Sequence, residues 1–195
     1  VGSEMCIRDR SNTTGTQNNA FGSAALLQNG TGSYNSAFGE GALSSNTSGN
    51  HSSAFGWEAL GYFNNAYNFN YSNDAFGSHS LYYNVYGHSN AAFGRNSLTN
   101  NTTGFNNNAF GRSSLSYNTT GYNNNAFGLS ALYNNTTGIK NNAFGTAALS
   151  QNATGSKNNA FGTAALQQLN PYGGYGAYYT NFAHSAFGHY ALRNF

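Results

Sequence analysis

The chain has 195 residues, of which only 6% are charged, and a formal net charge of +2, where soluble domains usually carry about 25% charged residues. That balance excludes the basic footprint of a nucleic-acid binder, and no stretch reaches the ~18–20 apolar residues of a membrane-spanning helix. Polarity comes instead from amides and hydroxyls, 34 Asn among them, and a single Cys allows no disulfide framework.

Residues 1–10, Val-Gly-Ser-Glu-Met-Cys-Ile-Arg-Asp-Arg, share no pattern with the rest of the chain and hold four of the twelve acidic and basic residues, the only Cys and the only Met. They resemble translated sequencing adapter of the kind found in metagenomic reading frames, and are set aside as a non-native leader. From residue 11 to residue 195 the chain is a repeat, expected to form one domain. Aligned on Ala-Phe-Gly, its copies place Phe at Phe21, Phe38, Phe55, Phe76, Phe93, Phe110, Phe127, Phe144, Phe161 and Phe187, with steps of 17 residues except for one of 21 and one of 26. Leu follows each Phe by five: Leu26, Leu43, Leu60, Leu81, Leu98, Leu115, Leu132, Leu149, Leu166 and Leu192. Asn is usual three before Phe (Asn18, Asn35, Asn107, Asn158) and three after Leu (Asn29, Asn46, Asn118, Asn152), and a Gly closes most units, as at Gly104, Gly121 and Gly138.

Seventeen residues are too few for a helical hairpin, and Phe and Leu five apart do not share a helix face. Two short strands per unit fit better, about Asn-Ala-Phe and about Ala-Leu-x. The Gly after Phe suits a corner needing positive φ or close approach. Asn-Thr-Thr-Gly reads as turn chemistry, with Asn and Gly free to enter the left-handed region. The fold expected is an all-β parallel β-solenoid, or β-roll, of about ten 17-residue coils. One unit cannot offset the entropy of ordering its own backbone, so the coils must stack, and association of chains would add to them. Like would then sit on like about 4.8 Å apart, with Asn on Asn as amide ladders. The ten Phe and ten Leu are expected to be the structural core, the Phe pointing inward or into a subunit contact. The position two after Phe, with Ser23, Glu40, Trp57, Arg95, Leu129 and His189, tolerates anything and should face out.

Two insertions interrupt the period. Near 61–72 the third unit gains four residues in an aromatic stretch with Tyr62, Phe63, Tyr67, Phe69 and Tyr71; near 170–182 nine more arrive with Tyr172, Tyr175, Tyr178, Tyr179 and the only Pro. Insertions in solenoids map to loops on one face, so these tyrosines and phenylalanines are the candidate binding residues. The chain starts inside a turn at Ser11 and stops in mid-repeat at Phe195, so both ends are expected to be truncated.

Chemistry is thin. Outside the leader the acids are Glu40, Glu58 and Asp74, too scattered for an acid/base pair. No catalytic residue, cofactor or metal is expected: His184 and His189 flank the last Ala-Phe-Gly and could meet their copies in a trimer, but single surface histidines explain them better. Arg95 and Arg112 share a column, as do Lys140 and Lys157; stacked like charges need solvent, which a plain wet surface satisfies without an anion site. Asn-x-Ser/Thr triplets at Asn12, Asn101, Asn118 and Asn135 have the form of glycosylation acceptors, but the turn column accounts for them.

The unit Asn-x-Ala-Phe-Gly-x-x-Ala-Leu-x-x-Asn-Thr-Thr-Gly resembles the short head repeats of YadA-like trimeric autotransporter adhesins. It is more similar still to the 17-residue repeats of bacterial and phage tail-fibre-like proteins, which often precede a self-cleaving chaperone domain. The resemblance covers residues 11–195 and departs from the family at Phe, where Ile or Val is usual. It implies three chains side by side, an extracellular place on a cell or virion fibre, and attachment to a host surface protein or glycan, with no enzyme activity, nucleic acid or membrane insertion in this segment. The alternative is an ice-binding or other surface-binding solenoid, from the Thr pairs Thr102-Thr103, Thr119-Thr120 and Thr136-Thr137. A disordered Asn/Tyr/Gly assembly segment fits the composition but not the strict columns.

Overall fold

A computed structural model describes residues 12–63, 72–168 and 184–192. Ten short strands stack in chain order into one parallel sheet: β1 (Asn19–Phe21), β2 (Ser36–Phe38), β3 (Ser53–Phe55), β4 (Asn73–Phe76), β5 (Asn90–Phe93), β6 (Asn108–Phe110), β7 (Asn125–Phe127), β8 (Asn142–Phe144), β9 (Asn159–Phe161) and β10 (Ser185–Phe187). The chain is an all-β solenoid, and the described residues contain no helix. Every pair is in one register, Ala on Ala and Phe on Phe. The register survives both insertions, with Ala54 opposite Ala75 and Ala160 opposite Ala186. The leader and the insertion residues Tyr67, Phe69, Tyr71, Tyr172, Tyr175, Tyr178 and Tyr179 lie outside the described residues.

Among the described residues each unit holds one strand, not two. After the corner the chain does run beside its neighbours, since the Leu115 N–H donates to Ala131 O (3.0 Å) and the Leu132 N–H to Ala148 O (2.9 Å). It does so, however, through turns in which every repeat Leu has a φ of +49° to +52°. A regular coil bends at four positive-φ sites, for example Asn106, Gly111, Ser113 and Leu115. Only one of these is Gly. The left-handed conformation costs an ordinary residue about 1–2 kcal/mol, so a second extended strand would be cheaper locally. A circuit of seventeen residues that carries Leu inward leaves no room for one.

The Gly after Phe is the expected corner, with φ near +135°; a Cβ on Gly128 would lie 2.6 Å from Gly145 O of the next coil. The Gly that closes each unit is there for space and not for φ. A Cβ on Gly121 would run into Asn118 Oδ1 and into Gly138 O, and neither Gly121 nor Asn118 has positive φ.

The core is narrow. It is built from the Ala of each strand, the Leu of the opposite leg and the Ala or Ser before that Leu, all fully buried in the inner coils. Leu26 to Leu166 are buried as expected, whereas Leu192 is 46% exposed because no described coil covers it. The ten Phe, from Phe21, Phe38, Phe55, Phe76 and Phe93 through Phe110, Phe127, Phe144, Phe161 and Phe187, are not core. Ala and Phe are neighbours on a strand and so point to opposite faces; opposite a buried Leu there is room for the smaller of the two. Phe therefore faces outward, and its exposure rises to 55% at Phe21 and 71% at Phe187, where the stack ends.

Candidate interaction surface

Two inner ladders of Asn tie the coils together. In the column after Leu, the Asn118 amide donates to Asn101 Oδ1 (2.7 Å) and to Gly121 O (3.0 Å), and Asn135 donates to Asn118 Oδ1 (2.8 Å). In the column before Phe, Asn124 Nδ2 donates to Gly138 O (2.8 Å) while its Oδ1 accepts the Asn141 backbone N–H (3.0 Å). These side chains are fully buried, which removes Asn101, Asn118 and Asn135 as glycosylation acceptors. In the third coil Phe63 occupies the first column. It is buried, with its ring against Gly49, and so is a plug in the ladder and not a binding residue. Among the described residues Asn158 Nδ2 is the only buried side-chain N/O atom without a hydrogen-bond partner; the acceptor fourteen residues on, where the ladder places its Gly, falls in the insertion.

The outward face of the sheet carries two more ladders. The Phe rings stack in register: from Phe38 to Phe187 successive centroids are 4.6–5.0 Å apart and the planes within 7° of parallel. Only Phe21 is set off, 6.3 Å from Phe38 and tilted by 28°. Two residues away on the same face, Asn108, Asn125, Asn142 and Asn159 form an amide ladder with 2.8 Å steps. A separate aromatic column stacks His88 on Phe105 (5.1 Å) and Phe105 on Tyr122 (4.6 Å). Burial lowers the pKa of His88 below the usual imidazole value.

On the leg after the corner a second aromatic group gathers. Trp57 meets His79 edge-on at 4.6 Å, His79 meets Tyr82 at 5.2 Å, and Tyr82 meets Tyr62 at 5.0 Å and Tyr83 at 4.6 Å. Glu58 Oε2 lies 3.1 Å from His79 Nε2. Burial, with the Glu58 carboxylate next, pushes the Tyr82 phenol up to about 12. Tyr62, the described candidate outside the core, belongs to this group. The rest of it escaped sequence reasoning, although its signal was there: His79 falls in the same column as Glu58, one coil on.

Arg95, Arg112, Lys140 and Lys157 are all exposed, as stacked like charges require. His184 sits in the buried-Asn column, its N–H donating to Asn158 Oδ1 (3.1 Å), while His189 is exposed against Tyr190, so the two do not converge within the chain. Among the described residues no group of three or more His, Cys, Asp or Glu could hold a metal. Of each Thr pair the first is spent on the fold: the Thr119 hydroxyl donates to Thr136 O (2.9 Å). The second, at Thr103, Thr120 and Thr137, is exposed. Comparison with known protein families, with curated proteins and with solved structures returns no match.

Proposed function

We propose that this chain is a structural and adhesive segment of an extracellular fibre or adhesin head, working as a homotrimer that attaches to a surface or host. The observation that carries this reading is the outward Phe ladder. Scattered rings on a surface are ordinary, but a continuous apolar stripe running the length of a molecule is a surface that association covers. The stripe has a near-constant step and near-parallel rings. An identical stripe meets it ring for ring along its whole length, which makes further copies of this chain the partners that match it. With 6% charged residues, little repulsion opposes their approach. Sedimentation equilibrium of the full chain tests this: the expected mass is three times 20.7 kDa, and a well-folded species that stays monomeric at micromolar concentration overturns it.

The exposed Thr103, Thr120 and Thr137, one per coil, favour a second reading as an ice-binding or other flat-surface-binding solenoid. Tyr86 breaks that column, and the hydroxyls of the neighbouring Thr102, Thr119 and Thr136 are spent inside the fold, which ranks it below the fibre. Thermal hysteresis in a freezing assay supports it, and its absence at millimolar protein removes it.

A further inference from the structure

In a solenoid the columns that build the fold recur in every coil, and a side chain that breaks its column without serving the core marks something else. The largest such break lies on the leg after the corner, in two successive coils. The third coil carries Trp57, Glu58 and Tyr62; the fourth carries His79, Tyr82 and Tyr83. The same positions hold Glu40, Gly41, Ser44 and Ser45 in the coil before, and Arg95, Asn96, Thr99 and Asn100 in the coil after. Coils fold with Ser, Thr, Asn, Glu or Arg there, and where two of these columns carry rings again, Tyr117 on Tyr133 at 5.0 Å, neither a Trp nor a Glu–His pair joins them, so the larger cluster is not a requirement of the architecture.

The rings form one continuous patch, each in contact with the next, and Trp57, Tyr62 and Tyr83 are about half exposed (52%, 53% and 46%). Leaving three large rings in water forfeits burial that the chain achieves at every inner repeat Leu. We infer that Trp57, Tyr62, Tyr82 and Tyr83, with the Glu58–His79 pair among them, form a binding platform for a neutral saccharide. The chemistry matches on three counts. Trp and Tyr offer an apolar face with a polar tip, as a pyranose offers C–H faces and a hydroxyl rim. Glu58 accepts hydrogen bonds from hydroxyls, and the tyrosine hydroxyls both donate and accept. The one carboxylate in the patch, Glu58, already has a partner in His79 Nε2 at 3.1 Å, so a ligand needs no charge of its own. This assignment rests on the attachment reading and names what is attached to.

Trp57 is the only tryptophan in the chain, so its emission reports on this patch alone. The full chain is titrated with cellohexaose, maltohexaose, N-acetylchitohexaose and a high-mannose glycan. At least one is expected to shift Trp57 emission saturably. Tyr62→Ala with Tyr83→Ala should then weaken that binding at least tenfold with an unchanged circular dichroism spectrum, and Arg95→Ala, in the same column as Trp57 but two coils away, should leave it within twofold. No shift with any of the four sugars, or a shift whose affinity survives the double tyrosine variant, overturns the platform. A trimer that ignores all four sugars sinks this assignment and leaves the fibre standing, whereas a monomer that binds one keeps the platform and sinks the fibre.

Discussion

At the scale of the residue, the geometry concentrates strain where packing is tightest. Every repeat Leu sits in the left-handed region and is nonetheless buried in the inner coils; inter-coil hydrogen bonds and Leu burial outweigh about 1–2 kcal/mol of conformational cost at each. Gly128 has no such latitude. Gly128→Ala adds a methyl 2.6 Å from the next coil's carbonyl at a φ of +138°, and overpacking with backbone strain should cost on the order of 3 kcal/mol. A thermal melt checks it: the melting temperature should drop well below that of Ser130→Ala, a change at a turn position where the next two coils already carry Ala147 and Ala164. His88 gives a pH signature. Its folded pKa lies below the unfolded value because burial penalises the imidazolium. Below about pH 6.5 the unfolded chain therefore binds more protons than the folded one, and stability falls as pH falls. His88→Phe, which keeps a ring on Phe105, should flatten the part of the melting-temperature loss between pH 7 and pH 5 that His88 causes. An identical profile in wild type and variant contradicts it.

At the scale of the element, one strand, one corner and two Asn ladders make a coil, and these were legible to different depths. The period, the Ala-Phe-Gly register and the Gly corner could be read directly, because a column that never varies has one backbone reason behind it. The direction of Phe could not be read from Phe alone, since its size argues for burial as strongly as its place on the strand argues against it. The Ala beside it decided the matter: Ala precedes all ten Phe, and a small residue that never enlarges is the one with no space around it. The second leg reads as a strand in sequence because nothing in a Leu side chain announces a positive φ. The patch around Trp57 consists of exceptions to the columns, so the period that reveals the fold hides it. The ladders themselves make a sharp comparison. Asn118→Ala deletes a fully buried amide that donates twice and accepts once from Asn135, leaving partners unsatisfied at about 1–3 kcal/mol each. Asn125→Ala cuts the outer ladder, where Asn125 is only half buried and water replaces the lost bonds, for less than about 1 kcal/mol. Equal losses of stability in urea titrations of the two variants would contradict the division into inner and outer ladders.

At the scale of the whole molecule, stacking solves the burial problem within a chain and leaves part of it on the outside. Each coil covers the core of the one before, but the Phe edges remain partly in water from one end of the sheet to the other. A test of their role must spare the fold, and the outer Asn ladder shows how, because an amide stacks on an amide at the same coil spacing that a ring stacks on a ring. Phe110→Gln with Phe127→Gln replaces two rings in the middle of the stripe with groups that can ladder, so the circular dichroism spectrum should be retained. The stripe, however, loses its apolar centre. If three chains meet there, six rings leave the contact, and at about 1 kcal/mol for the exposed part of each ring the assembly weakens by on the order of 6 kcal/mol. Loss of that size turns a stable oligomer into monomer at micromolar concentration. Sedimentation should therefore show the mass falling toward 20.7 kDa without unfolding. A folded double variant that keeps the wild-type oligomeric mass would mean that the chains join through some other face, and that the Phe ladder serves only to hold one coil on the next.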